Sequence, residues 1–74
     1  MELHELGGIL KDMYFNSPEK ETVAMIHLFG IKYANEISSL NSSFKEIAKA
    51  AGINESYGTE ISKGAKLAKY VIVK

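Results

Sequence analysis

Seventy-four residues, 46% hydrophobic content and no cysteine bound the chain to one small domain that packing alone must stabilise, with no disulfide to help. Two isolated histidines give no basis for a metal site, no apolar run nears the roughly 18 to 20 residues of a membrane span, and the opening MELHELGG lacks the features of a secretory signal, so a cytoplasmic location is expected. The formal net charge of zero argues against a strong non-specific polyanion binder, yet residues 1–40 hold six acids against three lysines and 41–74 hold three acids against six, which directs an anionic partner to the C-terminal half.

Leu3, Leu6, Leu10, Met13 and Tyr14 recur at helical spacing, with Glu5, Lys11 and Asp12 off the stripe, and predict a first helix over 2–14. Gly7 and Gly8 each weaken it by about 1 kcal/mol relative to alanine, so tertiary packing has to hold it. In NSPEKE, Ser17 is a candidate N-cap, Pro18 suits a first helical position, and Glu19 and Glu21 complement the N-terminal dipole. A second helix is expected from Pro18 towards Ile37. Its broad apolar surface, from Val23, Ile26, Gly30, Ala34 and Ile37 with Met25, Leu28, Phe29 and Tyr33, marks the most buried element. Gly30 either breaks this helix or admits another backbone.

SSLNSS is a polar linker. Ser43 followed by Glu46 forms a capping-box pattern that starts a third helix at Phe44, with Phe44, Ile47, Ala48 and Ala51 on its inner face and Gly52 ending it. Asn54 caps a fourth helix over Glu55 to Lys63, closed by Gly64. The tail AKLAKYVIVK suits either a last helix or a short strand at YVIVK. The fold expected is all-α: one compact bundle of four to five helices over 1–74, with supporting helices in 1–40, a helix-turn-helix in 43–64 and a tail in 65–74.

The stretch from Phe44 to Lys66 resembles the helix-turn-helix of the phage-repressor, or Xre-like, class. The features carrying the resemblance are Ile47 and Ala48, Gly52 at the turn, Ile53, the cap Asn54, Tyr57 in GINESY, Ile61 and Gly64. Alanine permits close crossing, glycine makes the turn, and the flanking apolar residues pin the second helix. With MIHLFGIKYANEI, the whole chain is also similar to small bacterial proteins carrying a helix-turn-helix-like domain. The resemblance implies a bacterial or phage DNA-binding regulator or accessory factor that inserts residues 54–63 into the major groove of double-stranded DNA. Base-facing candidates by that resemblance are Glu55, Ser56, Tyr57, Thr59 and Glu60, and phosphate candidates are Ser43, Lys45, Lys63 and Lys66.

The sequence departs from that class at telling positions. Glu55 and Glu60 carry negative charge towards phosphates, no Arg, Asn or Gln on the fourth helix offers bidentate purine readout, and Gly58 stands where a larger apolar residue is usual. Tyr57 either meets DNA or leans over the space left by Gly58. The alternative function is a protein-interaction module on the same scaffold, and the apolar helix two and YVIVK are candidate homodimer surfaces. Catalysis is not expected. HELGG lacks the second histidine of a zinc-protease helix, GTEISKGAK lacks phosphate-loop spacing, and no serine sits in a nucleophile elbow, so no cofactor is implied.

Overall fold

A computed structural model describes residues 2–71 as helices and turns, with no strand among them. The helices are α1 (Leu3–Phe15), α2 (Thr22–Lys32), α3 (Ala34–Ser39), α4 (Phe44–Ala50) and α5 (Gly58–Leu67), with a single 3-10 turn, Glu55–Tyr57, leading into α5. The all-α expectation holds. Leu6 and Leu10 of α1, Ile26 and Phe29 of α2, Ile37 of α3, Ile47 and Ala48 of α4, and Ile61 of α5 converge in one core with Ala51 and Ile53. The principal crossing is α2 on α5, while α1 lies across α4 and α2.

Boundaries differ from the sequence expectation at the start of α2, the break that follows it and the end of α5. The second helix starts at Thr22 rather than Pro18, because the Glu21 N–H donates to the Pro18 carbonyl at 3.0 Å and closes a turn. Lys20 adopts φ 69° there, a left-handed value incompatible with helix. Ser17 does not cap α2; its hydroxyl donates to the Tyr14 carbonyl at 2.7 Å and lies 3.2 Å from the Thr22 hydroxyl, tying the end of α1 to the start of α2.

The interruption in the long apolar segment falls at Tyr33, with φ −110° and ψ 21°, and not at Gly30. Gly30 instead lets a neighbouring backbone approach: a Cβ there would lie 2.6 Å from the Ile61 carbonyl oxygen and 2.8 Å from the Ala65 nitrogen. Gly64 does not end the last helix, because α5 continues to Leu67. It is buried against the backbone of His27, so its lack of a side chain serves packing. The tail leaves α5 as a turn over Ala68 to Tyr70, and the strand expected for YVIVK falls largely on residues 72–74, outside the described residues.

Candidate nucleic-acid interface

The start of α4 is set by a reciprocal cap. Ser43 Oγ accepts from the Glu46 N–H at 3.1 Å, and Glu46 Oε1 accepts from the Ser43 N–H at 3.1 Å. Its end is a Schellman turn. Gly52 takes φ 76°, the Ile53 N–H donates to the Ala48 carbonyl at 3.1 Å, and the Gly52 N–H donates to that of Lys49 at 3.0 Å. Ile53 then enters the core, and Asn54 Oδ1 accepts from the Ser56 N–H at 2.9 Å to begin the 3-10 turn. A capped helix and a tight glycine turn thus follow from the residues that suggested them, whereas Asn54 caps the 3-10 turn Glu55–Tyr57 and the helix expected from Glu55 begins at Gly58 without a side-chain cap.

Gly58 opens α5 directly beneath the first turn of α4, where a Cβ would lie 2.9 Å from the Lys45 nitrogen. The missing side chain leaves no hole, because another backbone fills the position. This proximity brings Ser43, Lys45, Glu55, Ser56 and Thr59 along one shallow groove of about 400 Å³, with Ser62 at its far end. Five of the nine candidate residues therefore share a surface formed by the N-terminal end of α4, the 3-10 turn and the first turn of α5.

The other four lie elsewhere or are otherwise engaged. Tyr57 is half-buried, its ring 5.6 Å from that of Tyr14 in an edge-on contact. Glu60 Oε1 lies 2.7 Å from His27 Nε2, and Glu60 Oε2 accepts from Lys63 Nζ at 3.3 Å. Lys66 faces a second groove on the C-terminal half of α5. The His27 hydrogen bond holds the Glu60 carboxyl below its usual range, with Lys63 adding to the effect and partial desolvation opposing it. His27 was legible only as a partly exposed helix residue, since its partner is 33 positions away.

Charge along the groove is more balanced than the lysine count suggests. Glu55 lies 3.8 Å from Lys45 Nζ and 3.2 Å from Lys49 Nζ, so one exposed carboxylate holds two α4 lysines. Such exposed pairs contribute about 0–1 kcal/mol to stability, so an incoming phosphate can compete for either lysine. Chemically, the groove offers the hydroxyls of Ser43, Ser56, Thr59 and Ser62, the Lys45 ammonium and the Glu55 carboxylate, with no buried titratable side chain among the described residues.

Residues 2–74 match a family model described as an HTH-like domain. No curated protein and no solved structure matches the chain. None of the described helices is long and apolar enough to cross a membrane.

Proposed function

The chain belongs to the HTH-like domain family, and from that premise we propose that it is a non-catalytic DNA-binding module, a regulator or accessory factor of bacterial or phage origin. The observation that carries this reading is the common groove of Ser43, Lys45, Ser56 and Thr59, where two helix N-terminal regions open side by side. Residues 54–63 enter the major groove. Ser56 and Thr59 reach base edges, and Glu55 accepts from cytosine N4 wherever the sequence provides it. Ser43 and Lys45 hold one phosphate strand, while Lys63 and Lys66 follow the backbone beyond. Tyr57 and Glu60, engaged with Tyr14 and His27, orient the helix instead of reading bases.

A low-salt titration with random duplex, followed through backbone amide shifts, tests this reading. Non-specific affinity on the order of 10⁻⁴ to 10⁻⁶ M is expected. Shifts should concentrate at Ser43 to Lys45 and Asn54 to Lys66. Unchanged spectra at about 1 mM duplex, well above that range, would overturn the proposal in favour of a protein-interaction module. The neutralisation of Lys45 and Lys49 by Glu55 is the observation that favours this second reading.

A further inference from the structure

We propose that the groove between α3 and the C-terminal half of α5 receives the α1–α2 corner, with its exposed Phe15 and its excess of carboxylates, from a second copy of this chain. The groove is about 550 Å³, with apolar walls from Ile37, Leu40, Phe44 and Ala65 and with Lys66 and Lys69 at its edge. Lys45, Lys49 and Lys63 each pair with a glutamate, whereas Lys66 and Lys69 pair with no carboxylate among the described residues. The groove thus combines partly exposed apolar walls with two lysines that have no carboxylate partner among the described residues.

The complementary surface lies at the α1–α2 corner. Phe15 is 62% exposed and Val23 43% exposed, at the two flanks of the corner held by Ser17 and Thr22. Around the corner stand Asp12, Glu19 and Glu21 against Lys11 and Lys20, a net excess of one acid, all of them exposed and none in an ion pair among the described residues. A corner with an exposed aromatic ring and an excess of carboxylates complements an apolar groove edged by lysines in hydrophobicity and charge.

The two surfaces cannot meet within one molecule. Phe15 packs on Tyr14, which packs on Tyr57 in the 3-10 turn before α5. The groove is lined by Ser62, Ala65, Lys66 and Lys69 of α5 and the turn after it, with Phe44 and residues of α3, and the exposed Phe15 lines no part of it. The contact is therefore intermolecular and head-to-tail, using different surfaces on each copy. Its small area makes it weak, with a dissociation constant on the order of 1 mM. Lys66 also belongs to the proposed phosphate contacts, so the test is carried out without DNA.

Sedimentation and amide-shift measurements on the full chain, from about 10 μM to a few mM around that constant, provide the test. The weight-average mass should rise above 8.2 kDa, with shifts moving together at Asp12 to Val23 and at the groove, and both effects should shrink in about 1 M salt. Phe15→Ser and the double variant Lys66→Glu/Lys69→Glu should each weaken association by about tenfold or more. Both target exposed positions, and preserved amide dispersion verifies their fold. Mixing Lys66→Glu/Lys69→Glu with Asp12→Lys/Glu19→Lys/Glu21→Lys should restore association that neither shows alone. A monomer throughout the range overturns the proposal and leaves the groove to a foreign acidic protein. Association unaffected by either variant overturns it in favour of another surface.

Discussion

A Cβ placed on Gly30 would stand 2.9 Å from the Cα of Gly64, so the principal helix crossing of this domain is built on two facing glycines. Around them, Gly30 abuts the Ile61 carbonyl and Gly64 abuts His27, all of it backbone that cannot rotate away. The same crossing brings His27 within hydrogen-bonding distance of Glu60.

Gly64→Ala should therefore destabilise the fold despite a better helix propensity. The propensity gain is about 1 kcal/mol, whereas overpacking against fixed backbone costs about 1–3 kcal/mol or more, so the net loss should approach 2 kcal/mol. Gly8→Ala is the matched control: nothing lies within 4 Å of its added Cβ, and it should gain about 0.5–1 kcal/mol. Thermal melts read both, at about 4–8 °C per kcal/mol for a domain this size. A stabilised Gly64→Ala would mean that the crossing is looser than described.

This crossing also marks where the sequence stopped being legible. Local signals were sufficient for Ser43 with Glu46, for Gly52 and for Asn54, because each partner lies within a few residues. Gly30 and Gly64 carried an ambiguous signal. In sequence a glycine reads as a breaker, and only the position of a distant backbone reveals that it is a contact. The candidate interface divided in the same way. The resemblance grouped Ser56, Tyr57, Thr59 and Glu60 on one face, but Tyr57 and Glu60 are claimed by Tyr14 and His27, which no helical periodicity connects. Ser17 misled because two elements competed for its hydroxyl and the end of α1 took it.

Ser43→Ala removes the reciprocal cap of a helix only seven residues long. The expected cost is about 1 kcal/mol, from the lost acceptor for the Glu46 N–H. Hydrogen exchange should rise first at Glu46 and Ile47, whose amides bond to the Ser43 side chain and carbonyl. Unchanged exchange there would show that the cap contributes nothing in solution.

The Glu60 carboxyl gives the fold an acid-sensitive tie between α2 and α5. Its folded-state value lies below the unfolded one, so the stabilisation is complete above the unfolded value of about 4.3 and is lost as pH falls through the folded value. Glu60→Gln should lower the urea midpoint at pH 7 and flatten its decline on acidification below about pH 5. His27→Ala should show the same lowered midpoint at pH 7. Parallel pH profiles for the parent and Glu60→Gln would assign the acid sensitivity to other carboxylates.

The most discriminating prediction for DNA binding concerns Glu55, because it engages two of the α4 lysines at once. If the groove meets phosphates, Glu55→Gln removes a like charge from the interface and frees Lys45 and Lys49. Affinity for random duplex at low salt should rise, and log affinity against log salt should steepen by about 1 to 2, since each phosphate neutralised contributes about 0.9. Adding Lys45→Ala and Lys49→Ala to that variant should reverse the gain. Lys63→Ala and Lys66→Ala in the parent should each flatten the slope by about 1 without altering sequence preference. Weaker binding by Glu55→Gln at every sequence would instead make the Glu55 bridge a brace for the interface, because a carboxylate that only repelled phosphates could not produce that loss.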